Sequence, residues 1–243
     1  MMHAAAGEKG RRLLPLTVSA AALVPACVYG EMALSPPPVQ VVLPVMPFTA
    51  VLAAAFVFLL FVYAILHYGR DSAIPFADVT AAIFGGLVFP LMLSCLLRLR
   101  MEPYVGKFLV FLPLCISFGS DTFALFAGML FGRHKLAPHV SPKKTVEGAI
   151  GGVVGGVLGT LLLCYIVSHI INDPFWVPII LFGGVGSVIS QIGDLSFSVI
   201  KREFGVKDYG KLLPGHGGIL DRFDSVTFVA PFVYLTLAVL RGL

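Results

Sequence analysis

The sequence predicts an all-α protein, a polytopic transmembrane helical bundle of about seven spans with its charged loops gathered at one face. Three observations predict it. The chain of 243 residues is 58% hydrophobic and only 12% charged, with a mean hydropathy of +0.94, so it cannot cover itself with polar surface in water. Apolar runs close to the ~20 residues that cross a bilayer recur along most of it. Lys and Arg concentrate in the segments between those runs, where anionic headgroups and the cytosol would receive them.

The expected spans, in order, are Leu13 to Tyr29, Val39 to Leu66, Ala77 to Leu97, Phe108 to Phe131, Ala149 to Ile171, Trp176 to Ile200 and Val226 to Leu240. The second starts among Pro36, Pro37 and Pro38 and carries Pro44 and Pro47, which predicts a kink or an interfacial lead-in within a single span. Lys9, Arg11 and Arg12 ahead of the first run also have the outline of a secretory signal. Proline before the small residue in Val24-Pro25-Ala26-Cys27 suits a cleavage site poorly, and a retained first helix is the simpler expectation. Cys27, Cys95, Cys115 and Cys164 all fall inside apolar runs, where a thiol is a small hydrophobe, so neither disulfide nor zinc is expected.

Orientation follows from the cations. Gly132 to Gly148 holds Arg133, Lys135, Lys143 and Lys144, and Lys201 to Asp224 holds Lys201, Arg202, Lys207, Lys211 and Arg222. Both belong in the cytoplasm by the positive-inside rule, and the spans between them bring the chain back to the same side. The same count sends Arg98, Arg100 and Lys107 to the far side, against the rule. Glycines from Gly148 to Gly156 predict close helix packing rather than a site. Nucleic acid is not an expected partner.

Three places put ionisable groups at membrane depth, where each is costly and marks function. Asp121 follows Ser120 in the fourth run. Gln191, Asp194, Ser198 and Lys201 are spaced to line one face of the sixth helix, with Arg202 beside them. Asp221, Arg222 and Asp224 open the last span behind His216, Gly217 and Gly218. An Asp at a helix start is also an ordinary complement to the helix dipole, which accounts for one of these acids more readily than for two. Carboxylates with Lys and Arg at a membrane surface suit Mg²⁺ and phosphate groups, the equipment of phosphoryl or nucleotidyl transfer.

These residues have a familiar order. Ser198-x-Ile200-Lys201-Arg202, then Lys207-Asp208-x-Gly210, then Leu213-Pro214-Gly215-His216-Gly217-Gly218-Ile219-Leu220-Asp221-Arg222-Phe223-Asp224 resembles the signature of CDP-diacylglycerol synthases, also called phosphatidate cytidylyltransferases. Gly132 to Pro138 and Val140 to Gly148 resemble a second stretch of that family, and Ser120-Asp121 sits where it has a membrane acid. The resemblance is close from about Phe108 onward and poor before, which divides the chain into N-terminal membrane helices, 1–107, and a catalytic membrane region, 108–243, with the signature at 198–224. Val146 replaces an expected aromatic residue, and Leu125 and Phe126 stand where a tyrosine is common.

The resemblance implies joining phosphatidic acid to the α-phosphorus of CTP, with loss of pyrophosphate. It implies Asp194 and Asp221 as Mg²⁺ ligands, with a monovalent cation as a further possibility. Asp224 and Asp121 would support them, and Lys201, Arg202, Lys207 and Arg222 would neutralise phosphates, with His216 in the same catalytic loop. Ser141, Lys143, Lys144, Thr145, Ser198, Gly217 and Gly218 would contribute to substrate binding. CTP, phosphatidic acid and membrane lipid are the expected partners, homodimerisation is left open, and the expected location is a bacterial inner membrane with the catalytic loops toward the cytoplasm. A CTP-dependent polyprenol or phytol kinase and, in a different class, an ion or metabolite transporter are the rival readings.

Overall fold

The computed structural model describes residues 10–34, 48–69, 73–103, 105–170, 177–210 and 218–240. Its long helices are α1 (Leu14–Leu34), α2 (Phe48–His67), α3 (Phe76–Met101), α4 (Phe111–Phe131), α5 (Val146–Ser168), α6 (Val177–Glu203) and α7 (Leu220–Leu240). Each includes a stretch long and apolar enough to cross a membrane, seven among the described residues. The chain is an integral membrane protein of helical class.

Two helix starts differ from the apolar runs by more than five residues. The second span's helix begins at Phe48, and its proline-rich lead-in lies outside the described residues. The last helix begins at Leu220, six residues before the expected Val226. Its first turn is polar, so it is invisible to a search for apolar runs. Asp221 supports that turn by accepting the Gly218 amide at 2.9 Å, a local bond of the kind that secures helix starts.

The described helices pack through three apolar clusters, the smallest formed by Phe89, Phe197 and Tyr209. Leu13, Val24, Phe56, Leu60, Ala82 and Leu87 join α1, α2 and α3. Leu99, Leu112, Ile116, Phe182, Val229 and Val233 join α3, α4, α6 and α7. Helix α3 therefore belongs to all three, and it carries a π-helical turn at Phe84–Val88. Within that turn a side chain on Gly86 would meet Phe56 Cζ at 2.7 Å, so the glycine lets the Phe56 ring close against the bulge.

The glycines of α5 serve packing, as their spacing predicts. A β-carbon on Gly119 would stand 2.6 Å from the Gly155 carbonyl oxygen, so α4 and α5 touch backbone to backbone. Between them runs the only pair of strands among the described residues, β1 (Lys135–Ala137) and β2 (Ser141–Thr145), antiparallel with Lys135 opposite Thr145 and Ala137 opposite Ser141.

The described residues of both basic segments lie at one end of the bundle, where Arg202 Nε donates to the Val140 carbonyl at 3.3 Å. At the opposite end the awkward Arg98 finds a partner. Its guanidinium lies 3.5 Å from Glu31 and 5.7 Å from the Tyr234 ring centroid. Glu31 also accepts from the Thr49 amide and hydroxyl at 2.7 and 2.6 Å, tying the ends of α1, α2, α3 and α7 together.

Candidate active site

The polar stripe on α6 divides its residues among four neighbouring elements. Gln191 Nε2 donates to the Ala149 carbonyl of α5 at 3.0 Å and lies 3.5 Å from Ser120 Oγ of α4. Asp194, one turn further, forms an ion pair with Lys144 of β2. Lys201 pairs with Asp221 of α7 at 3.1 Å. Ser198 lies half-buried between the last two. Gly152 makes the first contact feasible, since a β-carbon there would stand 2.7 Å from Gln191 Nε2.

Three carboxylates gather around this stripe. Asp121 and Asp224 both lie in the electrostatic field of Asp194, and of each other, with Lys144 and Lys201 as the offsetting cations. The Ser225 hydroxyl stands between two of them, 3.3 Å from Asp121 Oδ2 and 3.4 Å from Asp224 Oδ1. Asp224 is 7% exposed and accepts the Ser225 amide at 2.7 Å. Asp121 is exposed toward a cavity rather than sealed between helices.

Asp221 has other company. Its Oδ1 takes Lys201, and its Oδ2 accepts the amides of Tyr209 and Gly218, both at 2.9 Å. The two expected metal ligands thus have different surroundings: Asp194 pairs with Lys144 near the other acids, whereas Asp221 meets Lys201 at the end of α6 through Oδ1 and two loop amides through Oδ2. Burial pushes the Tyr209 phenol well above its ordinary range, and the charges of Asp221 and Asp224 push the same way. The phenol therefore keeps its proton and donates it to the Phe197 carbonyl at 3.1 Å.

The hairpin supplies the remaining wall. Thr145 caps α5 by accepting the Gly148 amide at 3.1 Å. Glu147 reaches back to accept the Arg133 amide at 3.1 Å and the His134 amide at 3.2 Å, and meets His134 Nδ1 at 2.6 Å. These bonds brace the strands over a cavity of about 480 Å³ between α4, the hairpin, α5 and α6. Asp121, Lys143, Lys144, Thr145, Gln191 and Asp194 form its polar lining, and Leu125, Met129 and Leu136 its apolar part. Leu125 and Met129 are also exposed on the outer face of α4, at 60% and 64%, so the apolar part adjoins the lipid-facing surface.

Of the other expected site residues, Ser141 is half-buried in β2. Arg202 holds the hairpin tip. Lys207 and Arg222 are exposed at the same end of the bundle. Gly218 anchors Asp221. His216 and Gly217 lie outside the described residues. Residue-type reasoning passed over Tyr209, whose signal is an aromatic residue set between Asp208 and Gly210 in a charged loop.

The donor chemistry fits a hard divalent ion. The carboxylates of Asp194, Asp224 and Asp121 act on one another, with Lys144 and Lys201 opposing. Among the described residues no three metal-binding side chains form a ready cage. Mg²⁺ suits such an arrangement because it takes one or two carboxylates and completes its shell with phosphates and water.

Seven helices with the reach of membrane spans and a cavity of acids and lysines at one end define an integral membrane protein equipped to handle anionic groups beside lipid. The chain belongs to the cytidylyltransferase family, whose profile matches residues 2–240. It is 38% identical to the phosphatidate cytidylyltransferase of Rickettsia conorii over 163 residues, covering 66% of this chain and 70% of the relative. It is 42% identical to the Haemophilus influenzae enzyme of the same name over 142 residues, 56% of this chain and 49% of the relative. For the Bacillus subtilis enzyme of that name the figures are 38% over 159 residues, 65% and 56%.

Proposed function

We propose that this protein transfers the cytidylyl group of CTP to phosphatidic acid, giving CDP-diacylglycerol and pyrophosphate. The observation that carries the reading is the cavity that is polar on one side, with Asp121, Asp194, Lys143 and Lys144, and apolar on the other, beside the lipid-facing surface of α4. CTP arrives from the cytosol, and phosphatidic acid is held in the leaflet by its acyl chains. Their reacting atoms must meet at headgroup depth.

In the reaction a phosphate oxygen of phosphatidic acid bonds to the α-phosphorus of CTP. The bond from that phosphorus to the bridging oxygen breaks, and pyrophosphate leaves with the electron pair. Lys143, Lys144 and Lys201 offset repulsion between the two anionic substrates. Asp194, with Asp224 and Asp121 beside it, would hold Mg²⁺, which when bound supplies charge neutralisation on the phosphate oxygens. Asp221 orients Lys201 and fixes the loop. The end bearing the hairpin faces the cytoplasm of a bacterial inner membrane, a reading supported by the positive charges collected there.

Incubation of the purified protein with phosphatidic acid and CTP labelled at the α or the γ phosphate tests this. The α label is expected in lipid and the γ label in pyrophosphate. Lipid carrying the γ label would indicate a kinase, and no labelled lipid would remove both readings.

A further inference from the structure

Tyr209 sits between α6 and α7 and touches neither the cavity lining nor the three gathered acids, yet it is 8% exposed in a charged loop. Four contacts hold it. Its amide donates to Asp221 Oδ2 at 2.9 Å and its phenol to the Phe197 carbonyl at 3.1 Å. Its ring meets the Phe197 ring edge-on at 5.9 Å, and Lys201 Nζ stands 5.4 Å from its centroid. Phe197 in turn packs against Phe89, ring centroids 4.6 Å apart. Phe89 directly follows the π-helical turn of α3.

A lysine is a mobile point charge on a flexible stem, and it holds one position only when its surroundings leave no other. Here a carboxylate oxygen stands at 3.1 Å and an aromatic face lies beside the ammonium. Lys201 is also one of the charges that act on Asp224, so its placement contributes to the charge balance around that acid. We propose that Tyr209 is a positioning residue: its ring and amide hold the Lys201–Asp221 pair against the acidic cluster, and Phe89 extends that support to α3, in the half of the chain outside the signature. The proposal rests on the cytidylyl-transfer reading, in which Lys201 neutralises phosphate.

Full-length protein in detergent, assayed with α-labelled CTP and phosphatidic acid, provides the test. Tyr209→Phe keeps the ring and should stay within about threefold of the wild-type kcat, whereas Tyr209→Leu should lose about tenfold, the scale of a cation–ring contact away from water. If Tyr209 acts through Lys201, adding Tyr209→Leu to Lys201→Met should cost less than about twofold more. Multiplication of the two single effects would mean general structural damage and would overturn the proposal. So would an undiminished Tyr209→Leu. Should Tyr209→Leu not fold, Phe89→Leu, which touches neither Lys201 nor Asp221, should lower kcat about threefold and lose that effect in the Lys201→Met background. An undiminished or fully multiplicative Phe89→Leu would count against it equally. A wild-type protein that labels no lipid sinks the underlying reading, whereas an active wild type with multiplicative variants sinks this inference alone.

Discussion

Ser225 shows how finely the acidic group is held. One hydroxyl lies between the carboxylates of α4 and α7, and the charge of Asp194 acts on both. Replacing Asp194 or Asp224 by Asn keeps shape and removes charge. Each should lower turnover by about a hundredfold or more, as expected for loss of metal-held phosphate, and the Asp224→Asn rate should recover in part as Mg²⁺ is raised. Asp221→Asn should be damaging at every Mg²⁺ concentration, because it uncouples Lys201 and the loop rather than a metal. Rates measured across an Mg²⁺ series for the three variants check this. A recovery of Asp221→Asn alone would reverse the assignment. The spacing of Gln191, Asp194, Ser198 and Lys201 on one helical face was legible in the sequence because a helix period suffices to see it. The pairing of Lys201 with Asp221, 20 residues away, and of Asp221 with the Tyr209 amide, 12 away, was not. Those contacts depend on how the connecting loop folds.

Among the elements, the hairpin is the one that patterning could not foresee. Its strands carry Lys135, Lys143 and Lys144, and their sequences, KLA and SPKKT, lack the apolar alternation that marks a half-buried strand. Their order comes instead from bonds to the start of α5, where the Val146 amide donates to the His134 carbonyl at 2.9 Å and Glu147 gathers the Arg133 and His134 amides. Glu147→Ala removes the clamp without entering the cavity lining. It should raise the KM for CTP several-fold with a smaller change in kcat, because the hairpin presents Lys143 and Lys144 while other elements hold the acids. Substrate saturation curves decide it, and an effect confined to kcat would show that the hairpin does not present substrate-binding groups. Close packing at α5, by contrast, was readable from its glycine spacing, whereas its pairing with α4 came from the structure. Gly119→Leu should force those backbones apart and lower the yield of folded protein in detergent, as measured by size-exclusion chromatography.

At the scale of the whole molecule, hydropathy revealed seven spans because the bilayer imposes a length on any helix that crosses it. It could not reveal which helices touch, since lipid-facing and helix-facing residues are equally apolar. Phe89 illustrates this: the sequence places it in an unremarked apolar run, and the structure places it on Phe197 beside the site. The bundle end bearing the hairpin also bears the end of α6, so single cysteines at Lys143 and Lys207 should label with a membrane-impermeant reagent from one side, the cytoplasm. A cysteine at Arg100 should label from the other. Labelling of the first two from opposite sides would break the topology.

The bond between Glu31 and Arg98 has a consequence for biogenesis. The two residues are 67 apart in the chain, so α1 leaves the ribosome with an unmatched carboxylate and waits for α3. At the usual pace of synthesis that delay is roughly 3 to 13 s. During that interval the acid must sit at the rim of the bilayer or be sheltered by the insertion machinery. Arg98→Ala should therefore reduce accumulation of the protein in the membrane, and Glu31→Gln in the same chain should restore much of it, because the unmatched charge is then gone. Quantitative blotting of membrane fractions would read the difference, and a double variant no better than Arg98→Ala would mean that the arginine is needed for something other than its acid. The order in which the helices are made thus leaves this chain a brief electrostatic debt, settled only when its third span arrives.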